Sequence, residues 1–529
     1  MKFHLSLLVA LALNSAAQAQ GMDHAHVQSG PLGKVAFPTS CDPKVQPAFE
    51  RAVAMLHSFW YSAGEQAFRD VLKDDPGCAI AAWGIASILM SNPLAGQGAS
   101  PNGAEQAQAA IDEGRRVGAK TERERSYLEA AGAYYSDFAT RSERERQLSR
   151  AKAYEALAQR YPDDDEAQIF AALYLAATQT QADQTYAAYL KAAAVLEDEF
   201  KKYPDHPGVA HYLIHCYDAP PIAAKGVVAA RRYAGIAPAA PHALHMPSHI
   251  FTRVGAWEES AATNVRSMEV AKAGNEPDEA YHAADYMVYA YLQLGRDAEA
   301  RRSIDQAMKV SGVSARFIAP YAIAAMPARY AFERGAWQEG AQLQPTGSTY
   351  PFVQSITYFA RSVGAARSGD LASARKDAEQ LETLHTALLA AKNGYWATEV
   401  EVQQITAAAW IDLGDGRPEP ALKSMRAAAD LEDRSEKHIV TPARIVPARE
   451  LLGEMLLELK QPERALKEFE ASQQREPNRF RGYLGAARAA EMMGDRSKAA
   501  AYYGRLVALA KAADTERPEL VRARTLAQR

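Results

Sequence analysis

Two histidine pairs with identical spacing lie between Pro204 and Trp257 of a chain of 529 residues. His211 and His215 form one H-x-x-x-H pair in HPGVAHYLIH, and His245 and His249 form the other in PHALHMPSHIF. Residues i and i+4 lie one turn apart on the same face of a helix. Neutral imidazole binds zinc, copper, iron and nickel, so these pairs predict a divalent transition-metal site.

The two pairs stand 34 residues apart, and 34 residues is the period of the tetratricopeptide repeat, a helix–turn–helix unit that stacks on its copies. In this repeat the first helix of each unit lines a concave groove. Three consecutive units, aligned on Pro204, Pro238 and Gly295, place six histidines and two aspartates at groove positions: His211, His215, His242, His245, His249, His282, Asp218 and Asp285. Because packed helices lie about 8–10 Å apart, imidazoles from two helices can meet on one ion.

The predicted metal ligands are His211, His215, His245, His249, His282 and Asp285, with His242 and Asp218 as additional groove residues. A catalytic zinc would take three of these ligands and keep one position open for water. The remaining acidic groups would orient the ligand imidazoles. The alternative is structural: histidines that cap helices or bond to the backbone.

More distant residues could extend the same groove. His57 precedes the aromatic run Phe59-Trp60-Tyr61, and Glu450 and Glu454 form an acidic i,i+4 pair that superhelical curvature would bring toward the histidines. The alternative for Glu450 and Glu454 is a solvated acidic stripe. His385 and His438 are expected at the surface.

The elements that must position these groups are helices throughout. Abundant Ala and the absence of long β-branched alternation predict an all-α fold, a tetratricopeptide-type solenoid. Repeats should run from residue 45 to 310, with the histidine-rich groove, and from 311 to 529, after an extended segment over 20–44. Glycines mark the turns within the units, at Gly255, Gly295, Gly335, Gly369 and Gly414. Residues 91–120 predict a loop followed by a helix that overhangs the groove.

The N-terminus predicts export. Lys2, the apolar stretch Leu5 to Leu13 and Ala17-Gln18-Ala19 form a secretory signal over residues 1–19, and a bacterial periplasm is the simplest destination. A retained N-terminal anchor is the alternative. Met22, His24 and His26 would follow cleavage, as a soft copper-binding terminus or as an unstructured tail. No later stretch predicts a membrane span. With a net charge of −4, no basic surface for nucleic acid is evident, so we expect no such partner.

Three cysteines remain after cleavage, and in an oxidising compartment two of them should pair. Cys41 and Cys78 flank the first repeat, which favours their disulfide over one between Cys78 and Cys216. Cys216 follows His215 and is either a metal ligand or, more commonly for a lone helical cysteine, a small core residue.

The chain resembles a family of secreted bacterial tetratricopeptide-repeat proteins over nearly its whole mature length. The matching stretches are LHSFWYSAGEQAF, DPGCAIAAWGIA, HPGVAHYLIHCYD, APHALHMPSHIFTRVGAW, YHAADYMVYAYLQLGRD, PARELLGEMLLEL and EPNRFRGYLGAARAAE. The resemblance implies the helical-repeat fold and no particular reaction. Cys216 stands where it implies a small residue, so Cys216 is not expected to be an essential ligand.

Two function classes follow. The first is an exported scaffold or binding protein whose groove holds a protein or peptide and a zinc, copper or iron ion. The second is a metal-dependent enzyme, a hydrolase or an oxidoreductase, acting on a small molecule at an open coordination position. The chain has no nucleophile elbow, phosphate-binding loop, dinucleotide fingerprint or H-E-x-x-H motif, so any chemistry would be carried by the metal.

Overall fold

The computed structural model describes residues 30–314 and 316–527, and over these residues the chain is helical without any β-strand. The predicted all-α, tetratricopeptide-type solenoid is confirmed. The predicted signal segment and Met22, His24 and His26 lie outside the described residues. No helix in the described part of the chain combines the length and the apolar character that crossing a bilayer requires.

Helical pairs begin at residue 46, close to the predicted start of the repeats. The first eight helices are α1 (Gln46–His57), α2 (Tyr61–Asp74), α3 (Ile80–Leu89), α4 (Pro101–Val117), α5 (Glu122–Tyr135), α6 (Glu143–Arg160), α7 (Asp165–Ala176) and α8 (Ala187–Lys202). The predicted insertion is present as an irregular loop that ends at α4, whose N-terminus Ser100 caps by accepting from the Gly103 N–H.

The helices of the histidine-bearing region come next, and the four that carry histidines are largely buried. The helices of this region are α9 (Pro207–Tyr217), α10 (Val227–Ile236), α11 (Pro241–His245), α12 (Pro247–Arg253), α13 (Trp257–Ala273) and α14 (Pro277–Gln293), with a short 3-10 helix at Ala223–Gly226. Met246 separates α11 from α12 but keeps helical backbone angles. The i,i+4 geometry of His245 and His249 therefore survives the proline that follows Met246.

The remaining helices continue the repeats to the C-terminus. They are α15 (Asp297–Ala307), α16 (Ile318–Glu333), α17 (Trp337–Ala341), α18 (Pro351–Arg367), α19 (Leu371–Ala390), α20 (Gly394–Gly414), α21 (Pro418–Glu432), α22 (Ala448–Glu458), α23 (Pro462–Arg475), α24 (Phe480–Met492), α25 (Arg496–Leu509) and α26 (Pro518–Leu526). Gly255, Gly295, Gly335 and Gly369 have positive φ angles at turns between helices, as predicted. At the turn after α20 the prediction was wrong by two residues: Gly414 ends the helix and Gly416 takes the positive φ.

Neighbouring units pack through glycines that face aromatic rings. The Phe469 ring on α23 lies against Gly453 on α22 and Gly485 on α24, where added Cβ atoms would come within 2.7 and 2.2 Å of it. Phe68 meets Gly84 in the same way near the other end of the chain. A disulfide joins Cys41 to Cys78, the pair favoured by the sequence, and Cys216 is free and buried.

One long irregular segment, 433–447, runs through the interior between α21 and α22. We call it the inner segment. Its Glu436 N–H donates to the Gln181 carbonyl (2.8 Å), and its Thr441 carbonyl accepts from the Tyr286 hydroxyl (3.0 Å). Ser435 through Thr441 are all buried. The chain's own backbone therefore occupies space beside the histidine-bearing helices, where an open groove would hold a bound peptide.

The C-terminal units fold back onto the histidine-bearing region. The Trp257 indole N–H donates to the Asn478 carbonyl (2.7 Å), and the buried Arg479 pairs with Glu333 on α16 and Glu450 on α22, both at 2.7 Å. The C-terminal units and the histidine-bearing region are thus joined by direct contacts.

Candidate metal centre

The first histidine pair lies on α9, where every residue is buried. The Nε2 atoms of His211 and His215 are 3.1 Å apart. The Nδ1–H of His211 donates a hydrogen bond to the His57 carbonyl oxygen (2.6 Å). The Nε2 atom of His211 therefore keeps a free lone pair. His215 Nδ1 is buried without a hydrogen-bond partner among the described residues. This pair can therefore share a metal, or His215 can donate an Nε2 proton to His211.

The second pair spans α11 and α12 and has less freedom. The side-chain amide of Asn264 donates through Nδ2 to the Ser260 carbonyl (2.7 Å), which points its Oδ1 toward His245. This Oδ1 accepts a hydrogen bond from the Nδ1–H of His245 (2.7 Å). The Nδ1–H of His249 donates a hydrogen bond to the carboxylate oxygen Oδ2 of Asp218 (2.9 Å). Both Nε2 atoms consequently carry lone pairs, and these face each other across 3.0 Å.

Two facing lone pairs repel unless a cation lies between them. The bond from zinc to an imidazole nitrogen is about 2.0–2.1 Å, so an ion placed off the line joining the two nitrogens reaches both. Burial, with nearby histidines adding to it, holds the pKa of His245 well below its ordinary value. Burial likewise lowers the pKa of His249 to about 4, although Asp218 opposes the shift. At neutral pH a proton therefore does not fill the gap between the two nitrogens, and this gap has the donor atoms that a cation requires.

Each pair gains a third histidine from a later helix, His242 on α11 and His282 on α14. His242 joins His211 and His215 in a first triad, and His282 joins His245 and His249 in a second, with the ligand atoms of each triad within 4.8 Å of one another. We call the six residues the histidine cluster. The sequence predicts that the two pairs can meet on one ion, and this stays a prediction. In the structure the ligand atoms group into two triads, because the Nε2 atoms of each pair face each other. His242, expected only as an additional residue, completes a triad.

Both predicted aspartates are near the cluster, but neither belongs to a triad of the described residues. Asp218 holds His249 and is itself paired with Arg253 (2.8 Å) and Lys437 (3.1 Å). Burial would raise the pKa of Asp218, but Lys437 and Arg253 lower it below its ordinary range. The prediction of Asp285 as a ligand is not matched: it pairs with Arg329 at 3.1 Å, and burial, opposed by Arg329, raises its pKa to about 6.

His57 belongs to a separate hydrogen-bonded group. Its Nε2 lies 2.9 Å from Glu166, and its Nδ1 lies 2.9 Å from the Tyr212 hydroxyl. His206 Nε2 bonds the other Glu166 oxygen at 2.9 Å, and its Nδ1 caps α9 by accepting from the Val209 N–H. Every ring nitrogen here has a protein partner, so the group is satisfied without a metal. This group contacts the first histidine pair only through the His57 backbone carbonyl, which orients the His211 ring.

Three further expectations about distant residues are wrong. Glu450 and Glu454 do not approach the cluster; buried Arg479 holds Glu450, and Arg367 and Arg481 hold Glu454. Arginine charge offsets the burial of these carboxylates, so they are neither a solvated stripe nor metal ligands. His438 is buried on the inner segment, stacked on Trp396 with ring centroids 5.0 Å apart, whereas His385 is half-buried on α19.

Several contacts of the cluster were not found from the sequence: Asn264, Arg253, Glu279, Tyr286 and Lys437. Asn264 lies at no repeat-defined groove position, and Lys437 lies on the aperiodic inner segment. Glu279 Oε2 lies 3.2 Å from His242 Nδ1. Glu279 could have been predicted from the sequence, because it lies three residues before His282 on the same helix.

A cavity of about 1170 Å³ opens beside the cluster, and His242 forms part of its wall. Much of the wall is aromatic, with Phe59 and Trp60 from the first turn and Phe352 and Trp396 from the C-terminal half. Residues of the predicted overhanging loop, among them Gly98 and Ser100, close another side. The Nε2 atom of His242 is buried without a hydrogen-bond partner among the described residues. The cavity therefore reaches the cluster through its first triad.

No family model matches the chain, and no curated protein matches it either. Two solved structures of human IFIT1 dimers match it. The dimer with PPP-AAAA has 12% identity and a TM-score of 0.39, and covers 77% of this chain and 87% of that one. The dimer with m7Gppp-AAAA has 11% identity and a TM-score of 0.39, with 86% and 95% covered. The expected absence of a nucleic-acid partner stays a prediction.

Proposed function

We propose that this chain is an exported tetratricopeptide-type binding protein whose histidine cluster holds a divalent transition metal. The observation that supports it best is the pair of Nε2 atoms of His245 and His249, which lie 3.0 Å apart. The proton of each ring is on Nδ1, where Asn264 and Asp218 accept hydrogen bonds. A buried arrangement of this kind is unfavourable empty and favourable around a cation. Export rests on the N-terminal sequence, which has the composition of a secretory signal.

The inner segment shapes the scaffold part of this proposal. Because the chain's own residues 433–447 occupy the interior beside the cluster, a partner protein or peptide would bind at the cavity mouth or on the outer surface. A metal that fixes α9, α11, α12 and α14 against one another would stabilise that surface. In this role the ion is structural, and the partner need not touch it.

A metal-dependent enzyme, a hydrolase or an oxidoreductase, is the second candidate, and the cavity favours it. Ligand sites are usually concave and largely apolar with a few polar groups, and this cavity has aromatic walls with an imidazole of the first triad among them. A small molecule there would reach an ion with three protein ligands and an open position. Turnover of any substrate by the metal-loaded protein, absent from the metal-free protein, would decide for the enzyme.

The test of metal binding is calorimetric titration of metal-free protein, without a histidine tag, with Zn²⁺ and with Cu²⁺. We expect tight binding by the wild type and a clear fall in the affinity or the amount of bound metal in His211→Ala and His245→Ala, because each ligand is held in place by the others. His385→Ala is the matched control, since His385 lies on α19 outside the cluster.

Circular dichroism and thermal melting of each variant show whether it has folded. If all four proteins bind alike, or if none binds, the cluster is structural and the partner-binding scaffold without a metal is the better proposal.

A further inference from the structure

We infer that the histidine cluster is a dinuclear centre in which each triad binds one copper ion. This inference rests on the proposed metal binding and adds the number of ions and their identity. It replaces a single shared site with two adjacent ones, formed by His211, His215 and His242 and by His245, His249 and His282.

The direction of the ligand atoms separates the two sites. Within each i,i+4 pair the Nε2 atoms face each other, at 3.1 Å on α9 and at 3.0 Å across α11 and α12. An ion bound between one such pair is therefore not the ion bound between the other. The third histidine comes from a different helix in each case, α11 for the first triad and α14 for the second. Neither triad shares a residue with the other.

The two sites are nevertheless in contact. The rings of His215 and His249 lie 5.7 Å apart between centroids, and those of His242 and His245 lie 5.9 Å apart. Side chains of the two triads thus touch directly. Ions in two-metal sites stand about 3.5–4 Å apart, and the ring contacts make the two triads direct neighbours.

Charge and donor type favour copper. Both triads contain imidazole alone. The nearby carboxylates have their own cations or imidazoles: Asp218 pairs with Arg253 and Lys437, Asp285 with Arg329, and Glu279 with His242. These oxygens already have partners, so the site disfavours hard ions, which need carboxylate or carbonyl oxygen. Among divalent ions a nitrogen site binds Cu²⁺ most strongly, and copper has a stable singly charged state that suits a site with little negative charge.

The experiment is titration of the metal-free, full-length mature protein with Cu²⁺, read by metal analysis after desalting and by electron paramagnetic resonance. His242→Asn and His282→Asn each remove one ligand from one triad; they are the most exposed members of the cluster, at 6% and 5%, and so disturb the core least. We expect two copper ions per wild-type chain, one in each variant, and a tenfold or greater loss of affinity for the ion that leaves.

Electron paramagnetic resonance also tests whether the two copper ions lie close together. Two interacting Cu²⁺ ions broaden or cancel each other's signals, so the wild-type spectrum should be weaker than the sum of the spectra of the two variants. A wild-type spectrum equal to that sum overturns the dinuclear centre, as does a wild type that binds one ion. A wild type that binds no copper and no zinc overturns the proposed function as well, so the two failures are distinct. The number of copper ions bound by the wild type decides between one site and two even if a variant does not fold.

Discussion

At the scale of single residues, the hydrogen bonds behind the ligands determine what the histidine cluster can bind. Asn264 and Asp218 contribute no metal ligand, yet they direct the protons of His245 and His249 away from each other. A plain pair of surface histidines has no such constraint and can rotate or exchange tautomers. The residues that hold the imidazoles thus matter as much as the imidazoles.

Replacing Asn264 tests this directly. Asn264→Leu keeps the size of the side chain but removes the acceptor for His245 Nδ1, so the imidazole can move its proton to Nε2 and lose its lone pair toward the metal. We expect metal affinity to fall about 10–100-fold with all six histidines in place. Asn102→Leu, on the exposed face of α4, is the control and should bind as the wild type does. Equal affinities in a titration of both variants would mean that Asn264 only packs the core.

The pH dependence follows from burial of the same rings. Burial lowers the pKa of His211, His215, His245 and His282 well below the ordinary value and lowers that of His249 to about 4. The unfolded chain takes up these protons near pH 6.5 while the folded chain does not, so folding is fully favoured above about pH 6.5 and loses stability as pH falls toward 4.

We therefore expect the melting temperature of the metal-free protein to fall steadily between pH 7 and pH 4. Metal should be retained to a lower pH than the value near 6 that ordinary imidazoles imply, because these rings stay neutral longer. The measurement is thermal melting with and without Zn²⁺ across that pH range. A melting temperature that is flat between pH 7 and pH 5 would contradict the shifts.

At the scale of helices and turns, the repeat packing depends on glycines that accept an aromatic ring. Gly485→Ala should destabilise the protein by about 1–3 kcal/mol, because the new Cβ would lie 2.2 Å from the Phe469 ring. Gly504→Ala on α25 is the matched control: nothing lies within 4 Å of its Cβ position. It should be neutral or stabilising by up to about 1 kcal/mol. Urea unfolding of both variants measures the difference, and similar losses would argue against ring contact as the cause.

The inner segment is the element that distinguishes this solenoid from an open groove. It brings Lys437 to Asp218 and the Thr441 carbonyl to Tyr286, so residues from far along the chain support the second triad. Arg329 donates to the Ala443 and Arg444 carbonyls at 2.8 Å and anchors the segment from α16. Backbone groups that lack secondary structure thus find side-chain partners in the interior.

At the scale of the whole molecule, export is the property that an experiment can establish most simply. We expect the mature protein to begin after Ala19 and to appear in the periplasmic fraction, because the apolar stretch Leu5 to Leu13 precedes a small-residue cleavage site. N-terminal sequencing and cell fractionation check both points. Replacing Leu8 and Leu11 with Asp should leave the full-length chain in the cytoplasm. Secretion of that variant would show that another segment directs export.

The sequence alone determined what depends on local spacing. Helices follow from composition and periodicity, the repeat from its 34-residue offset, and the two i,i+4 histidine pairs from one turn of helix. These are short-range properties of the backbone, so they hold whatever the rest of the chain does. His242 and His282 were also found at repeat positions, because each stands at the same place in its own unit.

Only the tertiary structure decided how the ligand atoms are grouped and what holds them. Whether six imidazoles share one ion or divide into two triads depends on side-chain directions across neighbouring helices, which spacing along the chain does not specify. Asp285 pairs with Arg329 and Glu450 with Arg479, because buried charges take the nearest opposite charge. The inner segment has no periodicity to read, and it reaches the cluster through packing between residues more than 150 positions apart.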